Sequence, residues 1–132
     1  MITKKEFEKD IKEMAKDKDW GVWSYPLVTL DDCRELCLVV GWEEGYDKGE
    51  KFQREENGEI YTLCGKVAIN IDDLQCDYDM DWYMPYSEDG DIYDTNMALE
   101  GADDLDFFVG EAKVIAEMMN KGELKLERGS NG

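Results

Sequence analysis

The sequence predicts an α+β fold: an N-terminal helix, an antiparallel β-meander of five or six strands and a C-terminal helix, with both helices packed on one sheet face. Three observations support this prediction. Apolar stripes at helical spacing occur near both ends, the middle of the chain alternates apolar and polar residues, and turn signals separate the alternating segments. The chain has 132 residues, so we expect a single domain over residues 1–132 with a frayed tail from about residue 125.

The first helix begins with a capping box. Thr3 and Glu6 have the spacing at which each side chain can bond the other residue's backbone N–H. Phe7, Ile11 and Met14 then recur at i, i+4 and i+7, which predicts one buried stripe. The remaining positions mix Lys with Glu or Asp, which is typical of a solvated helix face.

The segments that follow have the patterns of strands. Residues 20–30 are extended, and Pro26, which has no N–H to donate, predicts an edge strand or an interruption there. Residues 36–42 begin apolar on both faces, which is typical of a central strand. Asn57–Gly58 is a two-residue hairpin signal, so the polar and exposed segment 51–56 is predicted to pair with the long strand after it.

The clearest alternation covers residues 74–86, where apolar side chains occupy every second position. Period two over this length predicts one strand with a buried face and an exposed face. A loop and a short last strand around Met97 follow. The final helix is predicted to start near Asp103 or Asp104 and to stop at Gly122.

The negative charge is concentrated in one window of the chain. There are 33 acidic and 15 basic residues, a net charge of −18, and no lysine or arginine lies between Lys66 and Lys113. Because this window also carries the strand pattern, we expect its charges on a folded surface whose field attracts positively charged partners. The carboxylates of the window are Asp72, Asp73, Asp77, Asp79, Asp81, Glu88, Asp89, Asp91, Asp94, Glu100, Asp103, Asp104, Asp106 and Glu111.

Three of these acids have the spacing of neighbours on one strand face. On a strand, each of Asp77, Asp79 and Asp81 would lie about 6.6–6.8 Å from the next. This distance is comparable to the separation of successive phosphates along a nucleic-acid strand. Such a row would compete for lysine- and arginine-lined grooves, and Tyr83 on the same face offers a ring for arginine to stack on. The alternative is a surface that serves only solubility. The predicted partner-binding residues are Asp72, Asp73, Asp77, Asp79, Asp81, Tyr83, Glu88, Asp89, Asp91 and Asp94.

Calcium binding and catalysis fit the sequence less well. Three aspartates and Glu88 match acidic positions of an EF-hand loop, but Trp82 stands where that loop needs glycine. Clustered acids leave weak divalent-metal binding open. The chain has no histidine and no glycine-rich phosphate loop, and acids on one strand face diverge instead of converging in a cleft. We therefore predict a non-enzymatic protein without a cofactor.

The cysteines and the termini bear on location. Cys33, Cys37, Cys64 and Cys76 form no C-x-x-C pair, which favours free thiols in a cytosolic protein over a zinc site. No apolar run is long enough to span a bilayer, and the N-terminus does not have the pattern of a signal peptide. A cytoplasmic protein is the expectation.

The segment DDLQCDYDMDWYMPYSEDGDIYDTN and the overall charge resemble those of small acidic phage and mobile-element inhibitors, the DNA-mimic anti-restriction and anti-CRISPR proteins. The resemblance is to this class and not to one family. It implies a protein that blocks a basic nucleic-acid-binding protein such as a nuclease, a CRISPR effector nuclease being one candidate, in a bacterial host cell. It implies no direct binding of nucleic acid and no catalytic residues.

A second hypothesis assigns the specificity to aromatic residues. Trp20, Trp23 and Tyr25 lie in the proline-containing segment and either close the end of the core or, if exposed, form an interface hot spot. In the second case an immunity or antitoxin protein that caps one toxin is the alternative function, with the acids steering the encounter. A phage accessory protein is a third alternative.

Overall fold

A computed structural model describes residues 1–17, 20–71 and 81–125. The predicted α+β architecture is confirmed, with a helix near each end and an antiparallel sheet between them. None of the helices in these ranges is long and apolar enough to cross a membrane. The elements are α1 (Lys4–Asp17), β1 (Trp23–Thr29), β2 (Glu35–Glu43), β3 (Gln53–Glu56), β4 (Glu59–Ile71), β5 (Asp81–Tyr83), β6 (Tyr86–Ser87), β7 (Met97–Ala98), α2 (Asp104–Asn120) and β8 (Leu124–Lys125).

The Thr3 half of the predicted capping box is confirmed. The backbone N–H of Glu6 donates to Thr3 Oγ1 at 3.1 Å, which satisfies one of the N–H groups that a helix start leaves without a partner. The Glu6 carboxylate accepts a hydrogen bond from the Thr3 hydroxyl at 2.9 Å. Phe7, Ile11 and Met14 are all buried, so the predicted apolar stripe of this helix faces the core.

β4 is the central strand of the larger sheet. β2 pairs with residues 62–69 of β4 along one edge, and β1 pairs with the outer edge of β2. On the other edge three short strands follow one another: β3 at residues 59–62, β7 at residues 64–65 and β5 at residues 69–71. The strand order is therefore β1-β2-β4-β3, so the chain leaves the simple meander where β3 crosses to the far side of β4, and again where β6 pairs with β8 and β7 returns to β4.

A side chain fills the gap between β7 and β5 on that edge. The backbone N–H of Val67 donates to Thr95 Oγ1 at 2.7 Å, and Thr95 is buried. A buried N–H without an acceptor costs about 1–3 kcal/mol. The Thr95 hydroxyl thus supplies the bond that a neighbouring strand would otherwise make.

Both helices cover the same face of the sheet, which we call the helix face. The apolar side chains of α1 and α2 form one cluster with this face. α2 approaches closely at Gly65, where an added Cβ would lie 2.9 Å from Phe108 Cζ. The core is built from Phe7, Ile11, Met14, Leu36, Leu38, Val40, Leu63, Val67, Ile69, Leu99, Leu105, Phe108, Ala112 and Ile115.

The intervening residues of β2 and β4 form the opposite face, which we call the open face. It carries Cys37, Val39, Gly41, Cys64, Lys66 and Ala68, since these alternate with the core residues and pair across the two strands. Cys37 and Cys64 are buried there as free thiols, whereas Cys33 is exposed in a turn. The described cysteines thus agree with the prediction of free thiols; Cys76 lies outside the described residues.

The structure differs from the predicted continuous strand 74–86. Residues 72–80 lie outside the described ranges, and β5 and β6 are separate strands, β5 on β4 and β6 on β8. Pro85 lies between them, is buried, and accepts a hydrogen bond from the Tyr93 N–H at 2.9 Å. Because proline cannot donate to a ladder, the chain changes partners there.

Two further segments refine the expectations. β1 is an edge strand and its register also shifts between Pro26 and Val28, so both alternatives predicted from Pro26 occur. Leu124 is buried and pairs with Ser87 through β8, so order extends into the region where the tail was expected to begin.

Candidate partner-binding surface

Four of the predicted binding residues lie in one ordered loop, Glu88–Asp94, which we call the acidic loop. Glu88, Asp89, Asp91 and Asp94 are all exposed. The loop is closed by hydrogen bonds from the Ser87 N–H to the Asp91 carbonyl at 2.9 Å and from the Asp91 N–H to Ser87 Oγ at 3.2 Å. Its carboxylates therefore project from a folded turn.

The end of the acidic loop is fixed to the rest of the domain. The Tyr93 hydroxyl donates to Glu111 Oε2 on α2 at 2.8 Å, and this bond to a carboxylate raises the pKa of Tyr93. The Asp94 carboxylate accepts the Asn96 N–H at 2.9 Å. Among the residues that the structure describes, no lysine or arginine forms an ion pair with the four loop carboxylates. The loop carboxylates thus carry negative charge that no ion pair among the described residues neutralises.

The other predicted residues lie outside this loop in the sequence. Asp72, Asp73, Asp77 and Asp79 lie outside the described residues. Asp81 and Tyr83 are the end residues of β5. The row formed by Asp77, Asp79 and Asp81 therefore stays a prediction.

The acids at the start of α2 have structural partners instead. Lys4 Nζ lies 3.5 Å from the Asp103 carboxylate and 2.5 Å from that of Asp106, and the bond to Asp106 raises the pKa of Lys4. Asp104 Oδ2 accepts the N–H groups of Glu100 at 2.6 Å and Gly101 at 3.1 Å. The sequence window that contains no lysine or arginine is thus paired, in the folded protein, with Lys4 of the N-terminal helix.

The three aromatic residues of the alternative hypothesis have different environments. Trp20 is 50% exposed, next to Val22 at 60%. Trp23 and Tyr25 are partly buried against the core, and the Tyr25 hydroxyl donates to the Asp10 carboxylate at 2.9 Å. Trp23 and Tyr25 therefore pack against the core, while Trp20 is available at the surface.

A cavity of about 130 Å³ opens on the open face beside Trp20. Its lining includes two tryptophans, a glutamate, a lysine and an asparagine. The sequence did not predict this cavity, because its residues come from four separate segments of the chain. The lining residues are Trp20, Val22, Val39, Gly41, Trp42, Glu43, Cys64, Lys66 and Asn96.

Glu43 is the carboxylate of this cavity. Its Oε2 accepts a hydrogen bond from Asn96 Nδ2 at 2.6 Å, while Lys66 Nζ stays 3.9 Å from Oε1, beyond hydrogen-bond length. Tyr46 lies beside it: burial, with Cys64, Glu43 and Asp94 nearby, raises the pKa of Tyr46 to about 12. Asp94 thereby connects the acidic loop to the rim of the cavity.

Arg54 packs on the two tryptophans that line the cavity. Its guanidinium carbon is 3.9 Å from the Trp20 ring centroid and 5.4 Å from that of Trp42, and Nη2 pairs with Glu56 at 2.5 Å. Segment 51–56 was expected to be exposed, but Arg54 is 8% exposed. Arg54 differs from this expectation because its planar guanidinium can be buried between aromatic rings.

Comparison with protein-family models, with curated proteins and with solved structures finds no match to this chain. Within the described ranges, no group of three or more metal-binding side chains is arranged to hold an ion. The two surface features that bear on function are the acidic loop and the open-face cavity.

Proposed function

We propose that this protein is a non-enzymatic inhibitor in the bacterial cytoplasm that uses an acidic surface to block a basic nucleic-acid-binding protein, a CRISPR effector nuclease being one candidate. The observation that carries the proposal is the acidic loop, with Glu88, Asp89, Asp91 and Asp94 exposed on an ordered turn without an ion pair among the described residues. The net charge of −18 adds a long-range field of the same sign.

Binding through such a surface should be fast and should depend strongly on salt. Carboxylates that replace phosphates on a basic groove accelerate the encounter and make affinity fall steeply with salt. The ordered loop reduces the entropy that its side chains lose on binding. Asp77, Asp79 and Asp81 are predicted to extend the same surface.

The test is reversal of charge in the loop. Glu88→Lys, Asp89→Lys and Asp91→Lys together should abolish capture of a basic partner from host lysate, and weaken the purified complex by about 100-fold or more. A second variant carries the same change at Asp77, Asp79 and Asp81. Circular dichroism checks that each variant is folded.

The matched control is Glu13→Lys, Asp17→Lys and Glu55→Lys, which changes net charge equally at exposed carboxylates on α1 and β3. This control should retain binding and lose only part of the association rate. Wild-type affinity in both the loop variant and the Asp77, Asp79 and Asp81 variant would contradict the proposal.

The exposure of Trp20 and Val22 favours one second candidate, an immunity or antitoxin protein that caps a cognate toxin. Large apolar side chains at the centre of an interface contribute more affinity than charges at its rim. If this function is the correct one, Trp20→Ala weakens partner binding more than reversal of the acidic loop does.

A further inference from the structure

We propose that the open-face cavity is an anchor pocket for one arginine side chain of the protein partner. This inference rests on the proposed function, because a basic partner presents such side chains. Three properties of the cavity support it: its size, its aromatic wall and its carboxylate.

The size of the cavity selects a single side chain. Pockets for drug-sized ligands and cofactors have volumes of about 300–1,000 Å³, whereas a cavity of about 150 Å³ accommodates a group as small as benzene. At about 130 Å³, this cavity belongs to the smaller class. A planar guanidinium with its neighbouring methylene groups has suitable dimensions.

The aromatic wall already binds a guanidinium within the protein. Arg54 stacks 3.9 Å from the Trp20 centroid, and Trp42 is the second ring near it. Trp20 itself remains 50% exposed, so part of its surface stays available to a partner. Arginine gains from such rings both by cation–π attraction and by flat stacking.

The carboxylate of the cavity is oriented but only loosely paired. Asn96 donates a hydrogen bond to Oε2 of Glu43 at 2.6 Å, and Lys66 Nζ stays 3.9 Å from Oε1. The Oδ1 atom of Asn96 is buried and has no hydrogen-bond partner among the described residues. A guanidinium carries five N–H donors in one plane and can serve more than one acceptor at once.

Lys66 lines the cavity and Arg54 lies on Trp20, and several carboxylates lie near these two cations. Asp94 and Glu43 act together on Tyr46, and a hydrogen bond and repulsion from Glu44 raise the pKa of Glu59 next to Tyr61. Tyr61 in turn touches Trp20, with 4.7 Å between ring centroids. Crowded carboxylates beside the aromatic wall favour an incoming cation over an anion.

The probe is N-acetyl-L-arginine amide, titrated into the full chain at low salt and followed by NMR shifts of the tryptophan indole N–H groups. N-acetyl-L-citrulline amide is the matched neutral probe, since it keeps the shape and loses the charge. We expect the shifts to saturate with the arginine probe. The affinity for the citrulline probe should be at least about tenfold lower. No saturation with arginine, or equal binding of both probes, would overturn the inference.

Variants assign the binding to the cavity. Glu43→Gln should weaken the arginine probe about tenfold and Trp20→Ala about fivefold. Lys66→Gln should tighten it about threefold, because the competing ammonium is removed. The control Glu55→Gln, an exposed carboxylate beside Lys48, should change nothing. Loss of arginine binding in Lys66→Gln, or unchanged binding in Glu43→Gln, would show that the cavity is not an arginine pocket.

The two proposals fail separately. Reversal of charge at Glu88, Asp89 and Asp91 should leave the short arginine probe bound within about threefold when the titration is repeated at about 0.15 M salt, since salt then screens the interaction of the probe with exposed charges outside the cavity. If the probe binds but both charge-reversed variants keep wild-type partner affinity, the proposed function fails and the pocket stands. If those variants lose the partner while Glu43→Gln and Trp20→Ala keep it fully, the anchor role is excluded.

Discussion

The two faces of the sheet are covered in different ways. On the helix face, α1 and α2 cover alternate residues of β2 and β4 with a continuous apolar cluster. On the open face, Trp20, Val22 and Asn96 lie over the neighbouring positions and leave a cavity with a carboxylate and an ammonium group in its wall. One pair of strands thus supplies both a dry core and a partly polar surface.

The difference indicates that the helix face contributes stability and the open face contributes room for binding. A helix contributes a stripe of side chains that exclude water from a whole sheet face, so the free energy of folding is concentrated there. Short segments cover a face only in places and leave room for a ligand. We therefore expect substitutions on the helix face to change stability and substitutions on the open face to change binding.

The strongest test of this contrast is Phe108→Ala. Phe108 is fully buried in the core, and its truncation should lower the free energy of unfolding by about 3–5 kcal/mol. The control is its neighbour Phe107, which is 43% exposed, where alanine should cost about 1 kcal/mol. Urea unfolding followed by circular dichroism measures both, and equal losses would contradict the contrast.

Two glycines, one on each face, allow a direct comparison of how tightly the two faces are packed. A Cβ at Gly65 would lie 2.9 Å from Phe108 Cζ, whereas a Cβ at Gly41 on the open face would make an ordinary contact of 3.6 Å with Val22. Gly65→Ala should therefore cost about 1–3 kcal/mol, and Gly41→Ala should stay within about 0.5 kcal/mol of wild type. Thermal unfolding of the two variants should show this order; the reverse order would mean that the open face is the more tightly packed.

The open face should also respond to alkaline pH through Tyr46. Its pKa is raised to about 12, so the folded state keeps the phenol proton that the unfolded chain loses near pH 10. The stabilisation is present below about pH 10 and is lost as pH rises toward 12. Tyr46→Phe should reduce the fall in melting temperature over this range. The same fall in the variant would mean that other groups cause it.

Salt should act on the molecule as a whole. A net charge of −18 produces self-repulsion, which ions screen. We expect the melting temperature to rise by several degrees as NaCl is added from a low-salt buffer. A melting temperature that does not depend on salt would count against a concentrated acidic surface.

Local signals predicted most of the helix face. The Thr3 capping box and the stripe that begins at Phe7 depend on neighbours within two turns, so the sequence was sufficient for them. Asn57 and Gly58 both adopt positive φ, as the predicted hairpin requires. The buried position of Arg54 was missed, because the rings that enclose it come from distant segments.

The sequence by itself determined the fold class, the helix ends, the hairpin at Asn57–Gly58 and the concentration of charge between Lys66 and Lys113. These follow from periodicity, turn chemistry and composition, which are local properties. Only the tertiary structure decided that Lys4 neutralises the acids at the start of α2, that the chain changes partners at Pro85, and that Trp20, Glu43 and Lys66 line one cavity. These depend on which distant segments meet, because the free energy of a contact is gained only when packing brings its partners together.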